Sequence, residues 1–349
     1  NTYRIYALKE QNNDRIYNNP EEWIGFLPDS IVLRGDTSGI YIRTSKPTPK
    51  DFRILDRKIE TNGKILFSFN KALKEPDLKI TFPDTLEANK IIEHYKTRDS
   101  LGIWLPDVTF DSLKVHIYDG IDLLDSVMLR RGKNDRYTNK ITFTDNLDKS
   151  KVNKIKNLVF TGNFPIKSLD KSKLFLKEDS LSIENFVISL DSVENKIFML
   201  KYNWKAKKNY ELSIEEGAVV GLFNQKNDKT SRKFTLDEND KYGDLSLKIT
   251  LPDTVGTFVI ELTKEKKQRV LRSEQIHKNT TISYKNFLEG KYKVRIVYDQ
   301  NRNGKWDPGD LETNTQPERV WYYDKTFIIR PNWEQEEQIS IPPDPDAKN

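Results

Sequence analysis

Apolar and polar residues alternate at a spacing of two along much of this chain. Lys64-Ile65-Leu66-Phe67-Ser68-Phe69 and Leu113-Lys114-Val115-His116-Ile117-Tyr118 do so, as do the stretches 245–251 and 292–298. Successive side chains of a strand point to opposite faces, so each run predicts a strand with one apolar face. Each is short and is followed by turn formers such as Asn70, Asp119-Gly120 and Pro252-Asp253. Helical spacing is scarce. Its best candidate is the stretch from Leu86 to Tyr95, which serves equally well as a strand crossing a sandwich. Short strands with turn signals every ~8–12 residues predict an all-β chain of serial β-sandwiches.

An internal repeat orders these strands. Tyr3-Arg4-Ile5-Tyr6 and the residues up to Asn18 align without a gap on Tyr292-Lys293-Val294-Arg295 and the residues up to Asp307. Each copy then reaches a Pro-Glu pair, Pro20-Glu21 and Pro317-Glu318, the second across a longer loop, and continues into an apolar strand. Glu289-Gly290 precedes Tyr292, and nothing comparable precedes Tyr3. Residues 1–45 are therefore expected to be the C-terminal part of a truncated sandwich that needs strands upstream to cover its apolar face. Lys46-Pro47-Thr48-Pro49 is expected to be a stiff linker. One sandwich is expected over 46–133, ending where Arg130-Arg131-Gly132-Lys133-Asn134-Asp135 breaks the pattern. A second follows over 134–240, closed by the polar run 237–241. The complete copy of the repeat is expected over 241–341, with a disordered tail over 342–349.

Composition narrows the function classes. At 36% hydrophobic and 32% charged residues the cores must be modest and the surfaces well solvated. Lys and Arg number 58 against 53 Asp and Glu, with the two signs interspersed, so a net charge of +5 makes no basic stripe for nucleic acid. The absence of cysteine excludes disulfides, thiolate zinc sites and cysteine nucleophiles. No apolar run approaches the ~20 residues of a membrane helix.

The segments Lys154-Ile155-Lys156-Asn157-Leu158-Val159-Phe160-Thr161-Gly162-Asn163-Phe164-Pro165-Ile166-Lys167 and Lys207-Lys208-Asn209-Tyr210-Glu211-Leu212-Ser213-Ile214-Glu215-Glu216-Gly217-Ala218 resemble the opening and the penultimate strand of S-layer-type bacterial Ig-like domains. The stretch from Tyr292 to Asp310, with Gln316-Pro317-Glu318, resembles a transthyretin-like, carboxypeptidase-regulatory-type sandwich. Together they resemble multi-domain Ig-like lipoproteins of Bacteroidota. The resemblance implies serial Ig-like and transthyretin-like sandwiches, an N-terminal lipid anchor, an outer-membrane or cell-surface location and no shared catalytic residues.

The strongest candidate site is Asp299-x-Asn301-x-Asn303-Gly304-Lys305-x-Asp307-x-x-Asp310. Oxygen ligands at these spacings, with the Lys305 carbonyl and a glycine for the sharp turn, follow the EF-hand loop pattern for calcium. Aspartate stands where the bidentate glutamate belongs, and strands precede the loop. An Asx-rich turn capping its own backbone amides fits the same residues. The poorer repeat copy is Glu10, Asn12, Asp14, Asn18 and Glu21, where Arg15 replaces the glycine. His94, His116 and His277 are far apart, and His116 alternates with Val115 and Ile117 toward solvent. No catalytic motif is present, and acids alternate with lysines as solvated faces do. Adjacent strand residues face opposite ways, so at least one of Trp321, Tyr322 and Tyr323 should leave its own core, with Trp321 and Tyr323 as candidate interaction residues. The expected function is a non-catalytic scaffold or accessory subunit that binds outer-membrane or surface proteins, with a glycan-binding or adhesive module as the alternative.

Overall fold

A computed structural model of the chain describes all residues except 12, 18–21, 238–239, 254, 267–268 and 346–349. The chain is all-β. Among the described residues, helix is confined to two short 3-10 turns, Asp84–Asn89 and Lys171–Lys173. Two compact units form, one of Lys50–Glu238 and one of Asn1–Pro49 together with Asn239–Asn349.

The first unit opens with a sandwich. One sheet orders Ile54–Ile59, Ile65–Phe69, Ser100–Trp104 and Ile91–His94, and the other Asp122–Arg130, Ser112–Asp119 and Pro76–Phe82. The period-two pattern decides the faces. In Ser112–Asp119, Leu113, Val115 and Ile117 are wholly buried, while Lys114 and His116 lie half-buried on the outer face. The stretch from Leu86 to Tyr95 is no helix. It splits into the 3-10 turn Asp84–Asn89 and the strand Ile91–His94, because Lys90 is extended and Ile91 and Ile92 pair with Trp104 and Ile103. Asp111 O takes the amide of Arg131, and Asp135 Oδ2 takes that of Gly132, which turns the chain out of the sandwich.

A second sandwich follows in the same unit. Its largest sheet orders Lys151–Asn153, Thr230–Asp237, Asn209–Ile214, Leu174–Glu178 and Leu181–Ile183. A facing sheet holds Phe143–Asp145, Leu158–Gly162, Ile197–Lys201 and Val187–Leu190. Aromatic packing fills the space between them. Phe160 stacks on Phe198 at 4.9 Å, with Phe143 edge-on to both, and Trp204 stands edge-on to Tyr210 and Phe234.

In the other unit, a sheet of Val270–Ile276, Phe258–Lys264, Gly290–Tyr298 and Val320–Tyr322 packs with one of Thr280–Leu288, Tyr242–Thr250 and Glu334–Ser340. Phe327–Ile329 joins the first of these sheets beside Gly290–Tyr298. Leu245, Leu247, Ile260, Val294, Ile296 and Phe327 share one core. Burying each such side chain contributes about 1.5–3 kcal/mol. In the C-terminal tail, Tyr298 Oη donates to Pro342 O at 2.8 Å and Arg319 pairs with Asp344 at 3.6 Å, while residues 346–349 of the segment expected to be disordered lie outside the described residues.

The repeat is present strand by strand. Tyr6–Lys9 pairs with Trp23–Phe26 as Gly290–Tyr298 pairs with Val320–Tyr322: Tyr6 faces Phe26 as Arg295 faces Tyr322, and Leu8 faces Ile24 as Val297 faces Val320. The amide of Leu27 reaches Ile5 O as that of Tyr323 reaches Val294 O. Tyr3 faces Ile31 as Tyr292 faces Phe327. This register also corrects the alignment beyond the loop. Glu318 corresponds to Glu22, one residue past the Pro20-Glu21 pair, which itself lies outside the described residues.

Candidate functional site

The loop after Gly290–Tyr298 is closed by its own side chains. Asp299 is 2% exposed, and its carboxylate accepts from Asn303 N at 3.0 Å, Gly304 N at 2.9 Å and Gln275 Nε2 at 2.7 Å. Asn301 Oδ1 accepts from Asn303 N and Asn303 Oδ1 from Lys305 N, while the Nδ2 groups of both asparagines donate to Asp307 Oδ2. The Lys305 ammonium also lies 3.7 Å from the Asp307 carboxylate. The structure thus gathers Asp299, Asn301, Asn303 and Asp307. The Asp310 carboxylate accepts from Glu312 N, and its backbone bridges to Thr315.

Glu318 takes the closing position. It is 7% exposed and accepts from Gln300 N at 2.9 Å and Asp307 N at 3.0 Å, while its carbonyl accepts from Trp306 Nε1. Burial pushes its carboxyl above the usual range. The two backbone amides offset part of this, and the charges of Asp307 and Asp299 add to it. Among the described residues no group of three or more His, Asp or Glu is arranged to hold a metal ion. The donor set in place is a mesh of N–H groups on carboxylates, and a calcium ion would take Asp299, Asp307 and the two asparagine oxygens only after those amides turned over.

The N-terminal copy repeats the loop's backbone with different chemistry. Arg15 N donates to Glu10 Oε2 at 2.6 Å as Gly304 N donates to Asp299, and Gln11 N donates to Glu22 Oε1 as Gln300 N donates to Glu318. Arg15 and Asn13 have φ of 61° and 64°, Gly304 and Arg302 of 77° and 61°. The left-handed turn is thus kept where the glycine is not. Asp14 accepts from Ile16 N, and Asn12, Asn18 and Glu21 lie outside the described residues.

Strand alternation sorts the terminal aromatics. Trp321 and Tyr323 are half-buried against their own core, 5.8 Å apart edge-to-face, with Tyr323 stacked on Phe327. Tyr322 points outward at 55% exposure. His94, His116 and His277 stand on or beside three different strands.

Sequence reasoning missed the seam between the two sandwiches of Lys50–Glu238. Trp104 ends a strand of the first sandwich, yet its ring lies in the core of the second, 5.6 Å from Phe164. Its indole N–H donates to Glu93 Oε2 at 2.6 Å, and Lys196 Nζ reaches both Glu93 oxygens at 2.8 Å while lying 4.8 Å from the Trp104 ring centre. Asn62 Nδ2 adds a hydrogen bond to Asn163 O at 2.8 Å. Burial pushes the Glu93 carboxyl up, but Lys196, the Trp104 N–H and Lys64 outweigh it, so it is held below its ordinary range. The alternation of Ile103 and Trp104 shows a strand end in the sequence. Nothing there shows that the ring enters a neighbouring core.

In the second sandwich, a surface groove of about 590 Å³ runs beside the edge strand Leu181–Ile183, lined by Leu174, Phe175, Ile183 and Phe186 with Lys171 and Glu184. No helix among the described residues is long and apolar enough to cross a membrane.

No family model and no curated protein matches this chain. Solved structures that align with it include a run of titin domains, at 12% identity and a TM-score of 0.19, over 82% of this chain and 97% of that one. Others are an Escherichia coli alpha-2-macroglobulin fragment (10% identity, TM-score 0.23, 78% and 97% covered) and Bacteroides ovatus SGBP-B in complex with a mixed-linkage heptasaccharide (8%, 0.23, 81% and 83%). At these scores none of the likenesses carries an argument, and the functional reading rests on the chain's own geometry.

Proposed function

We propose that this chain is a non-catalytic scaffold that holds polypeptide partners at a fixed spacing on a cell surface, at an outer membrane to which a lipid anchor ties it. The seam at Trp104 is the observation that carries the reading. A tryptophan from one sandwich buried in the core of the next, with a carboxylate–ammonium pair beside it, makes the pair of sandwiches one stiff body. Rigid spacing serves a protein that positions others. The apolar groove beside Leu181–Ile183, next to an edge strand with its outer side unpaired among the described residues, suits an extended peptide. The resemblance of the 154–167, 207–218 and 292–318 motifs to Bacteroidota surface lipoproteins supports the location.

The test is affinity capture of the full-length protein from membranes in mild detergent, with mass spectrometry of what stays bound. A stoichiometric membrane or surface protein, retained less well by Trp104→Ala, is the expected result. Recovery of the protein alone overturns the scaffold reading, and retention on a glycan array would favour the adhesive one.

A further inference from the structure

Val270–Ile276 ends a sheet of the C-terminal sandwich. Among the described residues it pairs with Phe258–Lys264 on one side and with no strand on the other. The alternation of hydrogen bonds decides which of its groups are left over. The Asp299 amide donates to Thr257 O at 3.0 Å and that of Glu265 to Lys291 O at 3.1 Å. The odd-numbered residues of Phe258–Lys264 therefore bond toward Gly290–Tyr298, and the even-numbered ones toward their partners Arg272, Glu274 and Ile276. Ser273 and Gln275 are left with their amides and carbonyls on the open side. The register shifts only beyond Arg272, between Leu262 and Thr263.

The charges on this edge share the face of the core. Arg272 and Glu274 stand opposite Leu262 and Ile260, which are core residues, so the same face carries all four. The Arg272 guanidinium lies 5.3 Å from the ring centre of Phe287. Among the described residues neither Arg272 nor Glu274 is in an ion pair. Beside them Tyr284 is 4% exposed, and its hydroxyl has no hydrogen-bond partner. Burial pushes its phenol above the ordinary range. The charge of Glu274 adds to this and that of Arg272 offsets part of it, so both groups lie near the ring. Buried hydroxyls as a rule have a partner, and this one has none within its own chain.

Inward-pointing charges usually keep the edge of one sheet from joining another. Here they change sign about Ser273, and for one partner that reverses their effect. We propose that Val270–Ile276 pairs antiparallel with the same strand of a second copy of this chain, about a two-fold axis at Ser273. Such an axis sets Ser273 opposite Ser273, Arg272 opposite Glu274, and Glu274 opposite Arg272. The hydrogen-bonded pair then falls on Ser273, whose amide and carbonyl are the free ones. The two opposite-charge pairs fall on the positions where cross-strand side chains come closest. Moving the axis by one residue would put Glu274 on Glu274 or Arg272 on Arg272. The paired Glu274 carboxylate, held by an arginine of the second copy, is the acceptor that the Tyr284 hydroxyl lacks.

Sedimentation velocity of the full chain over a concentration series tests this. A dimer that dissociates on dilution is expected. Arg272→Glu and Glu274→Arg should each weaken it at least about tenfold, because each sets like charges opposite one another twice. Mixed in equal amounts, the two variants should dimerise again, since one then presents two acids and the other two arginines. Neither misfolding nor a contact elsewhere on the surface produces that recovery. A chain that stays monomeric up to about 1 mM overturns the proposal. So does a dimer that either single reversal leaves at full strength, and so does a mixture of the two variants that stays monomeric.

Discussion

At Gly304 and Arg15 the same left-handed turn is built with and without a side chain. Both amides donate to the first acid of the loop, so the turn is held by that bond as well as by the residue's own preference. A Cβ at Gly304 would meet Gln275 atoms no nearer than 3.7 Å, so the cost of Gly304→Ala is conformational. It should destabilise the C-terminal sandwich by about 1–2 kcal/mol, read from its urea midpoint. The loop's hydrogen bonds also bear on calcium. As they stand they close the loop on itself, and they predict a melting temperature that calcium and EGTA leave unchanged. A rise of several degrees in calcium, lost in Asp299→Asn, would show that the Asn301 and Asn303 amides turn over to present oxygen. The sequence displayed Asp299, Asn301, Asn303 and Asp307 as a set, because local spacing brings them together. It did not show Glu318, because that acid arrives from beyond a longer loop, and nothing local measures that distance.

At the scale of elements, strand identity followed from alternation, and the joint between sandwiches did not. Trp104→Ala removes a ring from one sandwich and leaves a hole in the core of the next, so it should cost about 3–5 kcal/mol. Unfolding of Lys50–Glu238, expected as one cooperative step in the native chain, should separate into two in the variant by calorimetry. The joint is also sensitive to acid. Glu93 is held below its ordinary carboxyl range, so it stabilises the fold above its unfolded pKa, and that stabilisation is lost as pH falls through the folded pKa. The denaturation midpoint should therefore begin to fall only as pH drops below the unfolded carboxyl value of about 4.3. In Glu93→Gln, which keeps an acceptor for the Trp104 N–H, the fall should be shallower. Glu318 acts with the opposite sign. Its raised carboxyl favours the fold at low pH and loses that contribution as pH rises. The stretch 86–95 shows why short apolar runs mislead: Ile91-Ile92 fits either period, and pairing with Ile103 and Trp104 decides for the strand.

The whole molecule is a chain of small cores under a charged surface. With 58 basic and 53 acidic residues interspersed, it should wash from a single-stranded DNA column below about 0.15 M salt, and retention above that would point to a basic face. Alternation at period two, turn formers between the runs and an imperfect repeat determined by themselves that the chain is all-β, built of sandwiches in series and related end to end. These are local properties, set by which way successive side chains point and by which residues tolerate a turn. Tertiary structure alone decided the rest. It put Glu22 opposite Gln11 and Glu318 opposite Gln300, carried Trp104 into a neighbouring core, and turned Tyr322 rather than Trp321 and Tyr323 to solvent. Each depends on which distant surface a strand meets, and a sequence pattern records the face of a strand without recording what lies across from it.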